Sequence, residues 1–160
     1  MSPLRHTRLV EASVPDTATF LEAARAFFGT GISAIAVIDA GRRVVGLVTD
    51  DDLLRGLFPA YLGELHHTAF VREEPDALGA RIEEASGEPV ERYMRQPITV
   101  DVGASALHIA ERFLHSPWGA LAVVENERFV GMVDEVAFVE TLMRQLGVET
   151  GEGSSRSEKR

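Results

Sequence analysis

Apolar residues recur along the first third of the chain in two different rhythms. Residues 16–28 place them three or four positions apart behind Asp16, an N-cap candidate, which predicts an amphipathic helix. Two β-branched runs, Ile32 to Ile38 and Val44 to Val48, flank a turn at Ala40-Gly41 and predict a β-hairpin. Residues 50–58 carry leucines on one stripe and acidic residues in the first turn, which favours a second helix.

The same pattern occurs a second time. Ala36-Val37-Ile38-Asp39 matches Ala122-Val123-Val124-Glu125 at an offset of 86, and Gly46-Leu47-Val48 matches Gly131-Met132-Val133 at an offset of 85. The offset changes within the polar turn, where chains tolerate length changes. Each copy therefore has the order strand, helix, strand, strand, helix. A three-stranded sheet of this size cannot bury both of its faces alone, so we expect the two copies to pack together.

The segment between the copies resembles neither of them. Glu74-Pro75-Asp76 predicts a helix with proline in its first turn, and residues 59–62 are predicted to start another helical segment. We divide the chain into a first repeat (1–62), a helical connector (63–92), a second repeat (93–146) and a flexible tail (147–160). The predicted fold class is α/β (α+β), with two tandem pseudo-symmetric repeats and a helical insertion between them.

Composition and charge exclude several classes of protein. The chain has 160 residues, a formal charge of −9, no cysteine and a single lysine, Lys159. Thiolate chemistry and a buried catalytic lysine are therefore not expected. The negative charge argues against a nucleic acid or an anionic membrane as partner. No apolar leader is visible near the start, and residues 26–38, the longest uncharged run of the first half, are too short to cross a membrane. A cytoplasmic location is the expectation.

Three segments carry a family signature. Gly46-Leu47-Val48-Thr49-Asp50-Asp51-Asp52-Leu53 has the order glycine, two apolar residues, threonine, two variable residues, aspartate and an apolar residue. Residues 31–39 precede it as an apolar strand, and residues 90–100 have the form of the start of a second copy. Together, over residues 8–58 and 90–146, they resemble the cystathionine-β-synthase (CBS) domain, which usually occurs in pairs called Bateman modules.

The resemblance implies a ligand and the residues that hold it. CBS pairs bind adenosine-containing ligands, among them AMP, ADP, ATP with or without Mg²⁺, NAD and S-adenosylmethionine, in clefts between the copies. By this resemblance Asp52 would accept hydrogen bonds from the ribose hydroxyls and Thr49 would contact phosphate. An ionised carboxylate can accept both hydroxyls, and free N–H groups at a helix start attract anions. The other lining residues expected are Ile32, Ser33, Ala34, Asp51, Trp118 and Ala120.

The second copy departs from this pattern. Asp134 stands at the position of Thr49, and Ala137 stands at the position of Asp52. Because the ribose carboxylate is missing there, we expect at most one of the two sites to bind a ligand. Trp118, at the position of Ile32, either stacks on a base or fills the degenerate site as a core residue, and the second interpretation is favoured.

The acidic turn of the first copy bears on the choice of ligand. Asp50 and Asp51 would repel a polyphosphate unless Mg²⁺ or an arginine compensates them. The arginines considered for this role are Arg42, Arg43, Arg55 and Arg128. On this interpretation AMP, adenosine or S-adenosylmethionine is favoured over free ATP. On the other, the two acids are merely solvated residues of a first turn, and both interpretations stay open.

Neither a catalytic nor a metal site is expected. The adjacent pair His66-His67 lacks a carboxylate at ligand spacing, and His108 and His115 share a polar face with Glu111, where surface ion pairing is the simpler interpretation. No nucleophile motif accompanies Ser33.

The leading hypothesis is a regulatory module. It would bind an AMP-like ligand between the repeats, signal to an unidentified partner protein and form a homodimer. Four residues are candidates for the dimer surface: Leu53, Leu57, Val139 and Leu142. The alternative is a structural, dimerising CBS module that binds no ligand and acts as a protein-interaction subunit.

Overall fold

Both halves of the chain have the predicted order of elements. The computed structural model describes residues 2–58 and 75–148. The first half contains β1 (Ser13–Pro15), α1 (Phe20–Phe27), β2 (Ala34–Ile38), β3 (Val44–Thr49) and α2 (Asp50–Leu57). The second contains β4 (Thr99–Asp101), α4 (Ala106–Leu114), β5 (Ala120–Glu125), β6 (Arg128–Asp134) and α5 (Glu135–Gln145). Helix α3 (Pro75–Ser86) and a 3₁₀ turn (Val90–Arg92) lie between them, and a second 3₁₀ turn (Pro3–His6) precedes β1.

Each half builds a three-stranded mixed sheet around its hairpin. The middle strand, β2 or β5, pairs in parallel with the short first strand and antiparallel with the third. The register aligns Val14 with Val37 in one sheet and Val100 with Val123 in the other. Both hairpins shift register at the same place, after Val37 and after Val123. The predicted pseudo-symmetric α+β fold is confirmed.

The segments that lead into the two halves are exchanged. Val10, which precedes β1, forms two backbone hydrogen bonds of 2.7 and 2.8 Å with Met132 on β6 of the second half. Arg95, which precedes β4, forms two of 2.9 and 3.0 Å with Leu47 on β3 of the first half. The lead-in segment of each half therefore pairs with the third strand of the other half.

A single hydrophobic cluster spans the two halves. It joins fully buried residues of β2 and β3, such as Ala34 and Leu47, to fully buried residues of β5 and β6, such as Ala120 and Met132. Burying a side chain of the size of Leu47 or Met132 contributes about 1.5–3 kcal/mol. The expectation that the two copies pack against one another is met by this core.

The first helix begins later than predicted. Asp16 is not its N-cap, because the Asp16 N–H donates to the carbonyl of Ile38 at 2.8 Å and extends the β1–β2 pairing. The N-cap is Thr19, whose hydroxyl accepts from the N–H of Glu22 at 3.3 Å. The helix predicted for residues 59–62 lies outside the described residues.

Helix α3 is attached to the C-terminal end of α2. Arg81 on α3 donates from Nε to the carbonyl of Gly56 at 3.0 Å and pairs with Glu88 at 3.3 Å. Tyr93 donates to Glu88 at 2.5 Å, and its ring packs edge-on against Phe20, with ring centroids 4.7 Å apart. Gly56 is buried beneath the two rings, so the absence of a side chain there allows α2 to approach them.

Replacing this glycine tests the close approach. A Cβ at Gly56 would lie 2.6 Å from Cε1 of Tyr93 and 2.8 Å from Cε2 of Phe20. We expect Gly56→Ala to lower the free energy of unfolding by about 1–3 kcal/mol, because overpacking exceeds the helix-propensity gain of about 1 kcal/mol. Urea unfolding measures the free energy of unfolding of each variant. Gly79→Ala on α3 is the matched control: nothing lies within 4 Å of its Cβ, so we expect neutrality or stabilisation. Stabilisation of similar size by both substitutions would contradict the packing described here.

Candidate functional site

Thr49 and Asp52 form a capping box at the start of α2. The Thr49 hydroxyl accepts from the Asp52 N–H at 3.2 Å and donates to Asp52 Oδ2 at 2.9 Å. The Thr49 N–H donates to the same Oδ2 at 2.9 Å. Threonine followed three residues later by an acid is the local sequence that favours this arrangement. Thr49 is 1% exposed, so it lies in the structure as a buried N-cap.

The first N–H groups of α2 already have acceptors within the chain. The Asp50 N–H donates to the carbonyl of Ser33 at 3.3 Å, and the Asp51 N–H donates to Oδ1 of Asp50 at 2.9 Å. The Asp52 N–H is held by Thr49. The sequence-based expectation of free amides for a phosphate at this helix start is therefore not met in this structure.

Arg95 completes the coordination of the Asp52 carboxylate. Its Nε donates to Oδ2 at 2.9 Å, and its Nη2 donates to Oδ1. With the two bonds from Thr49, four donors reach a carboxylate that has about four acceptor positions. The carboxylate is only 10% exposed, and Oδ2 accepts three of these hydrogen bonds whereas Oδ1 accepts one.

The partners of Asp52 keep it ionised. Burial acts to raise its pKa, but the hydrogen bond from Arg95 and the hydrogen bonds from the Thr49 backbone and hydroxyl together lower the pKa below the usual aspartate value. Arg95 in turn has a raised pKa, chiefly through its hydrogen bond to Asp52. The pair is therefore a carboxylate and a guanidinium at neutral pH.

Trp118 brings the second half to the same place. The guanidinium carbon of Arg95 lies 4.8 Å from the centroid of the indole ring, and the Ser33 hydroxyl donates to the Trp118 carbonyl. The indole Nε1 is buried and has no hydrogen-bond partner. Most buried donors in proteins do have one. We call Ser33, Thr49, Asp52, Arg95 and Trp118 the seam cluster, because they join the two halves.

The other predicted lining residues have different surroundings. Ile32, Ala34 and Ala120 are 5%, 0% and 0% exposed and belong to the shared hydrophobic cluster. Asp51 points into solvent and pairs with Arg55 at 3.7 Å. Of the eight predicted site residues, the seam cluster thus contains four: Thr49, Asp52, Ser33 and Trp118.

The second half lacks both members of the ion pair. Asp134 caps α5 by accepting from the Ala137 N–H at 2.7 Å, and Ala137 takes the place of Asp52. Val10, the lead-in residue bonded to Met132, takes the place of Arg95, which is bonded to Leu47. The carboxylate and its guanidinium are therefore both absent from the second half. The backbone hydrogen bonds of the two halves are equivalent at this point, but only the first half has the ion pair.

Comparison with known proteins accounts for this architecture. The family model of the CBS domain matches residues 7–58 and 90–144, which are the two halves described above. The chain belongs to the CBS-domain family. CBS domain pairs are commonly regulatory, nucleotide-binding modules. Comparison with curated proteins gave no match.

Solved structures agree with the CBS fold. A CBS domain-containing protein from Kribbella flavida is 17% identical and superposes with a TM-score of 0.72, covering 89% of this chain and 99% of its own. A CBS-pair protein from Arabidopsis thaliana is 19% identical, with a TM-score of 0.63 and coverages of 93% and 94%. The CBS domain of a membrane protein from Sphaerobacter thermophilus is 20% identical, with a TM-score of 0.62 and coverages of 87% and 91%. In the present chain, within residues 2–58 and 75–148, no helix is long and apolar enough to span a bilayer.

Sequence reasoning did not identify Arg95 as the arginine that pairs with Asp52. Of the four arginines considered, Arg55 contacts Asp51, Arg42 pairs with Glu11 at 3.8 Å and Arg43 with Glu127 at 3.5 Å. Arg95 is separated from Asp52 by 43 residues, so no local spacing connects them. The available signal was a cation in the lead-in segment of the half that lacks the signature aspartate.

The histidines behave as surface residues. His108 and His115 lie 3.4 and 4.0 Å from Glu111 on α4, in agreement with the ion-pair interpretation. Within the described part of the chain no cluster of His, Asp and Glu is arranged to hold a metal ion. His66 and His67 lie outside the described residues.

Acid should remove part of the stability that the Asp52–Arg95 pair contributes. A carboxylate whose pKa is lowered by folding stabilises the native state above its unfolded pKa of about 4, and this contribution is lost as the pH falls through the lower folded pKa. We expect Arg95→Met to lower the free energy of unfolding by about 2 kcal/mol near pH 7. The difference from the unsubstituted chain should then shrink below about pH 4. Urea unfolding at about pH 7, 4 and 3 measures this difference.

Arg55→Met is the control for this experiment. It removes the exposed pair with Asp51, whose side chains are 74% and 65% exposed, and should cost less than about 0.5 kcal/mol. Equal losses in the two variants, or an Arg95→Met difference that widens towards acid, would contradict the role assigned to the buried pair.

Proposed function

We propose that this CBS pair is a regulatory module that binds an adenosine-containing ligand at the seam cluster and signals its presence to a partner protein. The observation that carries the proposal is the hydrogen-bond count at Asp52. Arg95 supplies two N–H donors to the carboxylate, and the cis-diol of a ribose supplies two O–H donors. A ribose can therefore replace the guanidinium without leaving an acceptor of Asp52 unpaired, which would cost about 1–3 kcal/mol.

The same exchange would free an aromatic surface. Arg95 now covers the Trp118 ring at 4.8 Å. Once the guanidinium leaves Asp52, the ring becomes available to stack on a base, the contact that aromatic side chains and nucleobases favour. The buried Nε1 of Trp118 would then lie beside a ligand rich in hydrogen-bond acceptors. Candidate ligands are AMP, ADP, ATP with or without Mg²⁺, and S-adenosylmethionine.

Signalling would follow from the position of the cluster. Asp52 belongs to the first half, whereas Arg95 and Trp118 belong to the lead-in segment and body of the second. A ligand that replaces a contact between halves shifts the population of their relative arrangements in proportion to its differential affinity for them. A partner protein that contacts both halves would sense that shift. No catalytic role is proposed.

A second candidate function rests on the same contacts. Three features favour a CBS pair that binds no ligand and serves as a protein-interaction subunit: the Asp52 carboxylate is already paired with Arg95, Trp118 packs against the hydrophobic cluster, and Ala137 replaces the second aspartate. In that case the seam cluster would be purely structural.

Thermal unfolding with a panel of ligands separates the two functions. We expect AMP, ADP, ATP with and without Mg²⁺, NAD or S-adenosylmethionine to raise the midpoint temperature, since a ligand at 100 times its dissociation constant adds about 2.7 kcal/mol. Asp52→Ala should abolish the rise. Asp16→Ala should preserve it, because Asp16 lies where Ile38 ends β2, at the opposite end of the sheet from Thr49. No rise with any ligand would favour the interaction subunit, and conversion of a ligand to product, seen by chromatography, would indicate an enzyme.

We further propose that the module forms a homodimer through α5. Its outer face and its C-cap residue, Leu146, carry exposed apolar side chains at helical spacing, with these exposed fractions: Val136 76%, Val139 48%, Met143 39% and Leu146 80%. Of the four residues predicted for this surface, Val139 lies in the stripe, Leu57 is half-buried, and Leu53 and Leu142 pack against the hydrophobic clusters. A second copy would cover this apolar stripe, as CBS pairs often dimerise.

A charge within the stripe tests the dimer. We expect Val139→Glu to convert a dimer to a monomer, because a carboxylate would be buried at the interface without a partner. Sedimentation equilibrium measures the mass. Val130→Glu, on the exposed face of β6, is the control and should leave the mass unchanged. A monomeric unsubstituted chain, or a dimer that survives Val139→Glu, would refute the assignment.

A further inference from the structure

If a ligand binds to Asp52, the guanidinium of Arg95 is displaced but cannot move far from the site. Its backbone is fixed to β3 by the two hydrogen bonds to Leu47, so the cation stays within a side-chain length of the site. The side chain is 31% exposed and would lose the carboxylate to which it is hydrogen-bonded. Leaving a partly buried cation unpaired is costly, so a ligand that also supplies an anion gains over one that does not.

The N-terminus of α2 does not offer an alternative binding position for that anion. The N–H groups of Asp50, Asp51 and Asp52 are bonded within the chain, and the carboxylates of Asp50 and Asp51 repel negative charge. Arg55, the cation on the same helix, is engaged with Asp51. Arg95 is therefore the cation in the described residues that a ligand at Asp52 itself sets free.

We propose that Arg95 passes from the Asp52 carboxylate to a phosphate group of the ligand, and so selects nucleotides over nucleosides and over cationic adenosine compounds. The inference rests on the proposed function and names its ligand class: a nucleoside phosphate. Guanidinium pairs equally well with carboxylate and phosphate, in both cases through two parallel N–H bonds. The ribose takes the two acceptor positions that the arginine vacates, and no covalent step is involved.

The seam of the other half cannot perform this exchange. Val10 and Ala137 replace the cation and the carboxylate together, so that seam has no guanidinium to release and no carboxylate at the position of Asp52 to hold the diol. One ligand per chain is the stoichiometry that follows.

Titration calorimetry with AMP and adenosine as probes tests the selection. We expect the unsubstituted chain to bind AMP about tenfold or more tightly than adenosine, with one site per chain. In Arg95→Gln, adenosine should bind more tightly because no ion pair has to break, and AMP should lose its advantage, so that the affinity ratio approaches one. Arg92→Gln is the matched control: this arginine of the same segment is 68% exposed and pairs with Glu88, and its loss should preserve the ratio.

The outcomes distinguish this inference from the function on which it rests. An AMP-to-adenosine ratio that is unchanged in Arg95→Gln would overturn the selection while leaving nucleotide binding in place. S-adenosylmethionine binding the unsubstituted chain more tightly than AMP would overturn it as well. Failure of every probe to bind any variant would instead refute the proposed function. If Arg95→Gln does not fold, Arg95→Lys serves: it keeps the charge without the two-pronged geometry, so both probes should tighten and the ratio should persist.

Discussion

The bidentate pair between Asp52 and Arg95 is the interaction on which the rest of the seam depends. It links the capping box of α2 to the segment that enters the second half, and it places a cation over the Trp118 ring. Four hydrogen bonds reach the carboxylate, two of them from Arg95, and they offset the cost of its partial burial. A ligand that takes the acceptor positions used by Arg95 has to replace this contact.

Duplication explains why the fold was accessible from the sequence. Two copies of an ordered pattern of helical and alternating positions are hard to obtain by chance, and each copy indicates the element order of the other. Thr49 and Asp52 were selected through the resemblance to the CBS signature, whereas the capping box that they form is a finding of the structure. The start of α1 was not accessible from the sequence, because whether Asp16 caps a helix or extends a strand is decided by Ile38, which is distant in sequence.

Arg95 could not be assigned from the sequence for a related reason. Its role follows from the exchange of lead-in segments, which sets it against β3 of the opposite half. No spacing rule connects residues so far apart, and the arginines closer to the acidic turn were more obvious candidates.

The exchanged lead-in segments constrain how the molecule is able to move. Backbone bonds tie Val10 to Met132 and Arg95 to Leu47, so the halves are joined at two points across their common core. Drawing them apart would break both pairs of bonds and expose that core to water. A small twist about the line through the two points keeps them intact. A twist of one half against the other therefore costs less free energy in this architecture than a hinge-like opening.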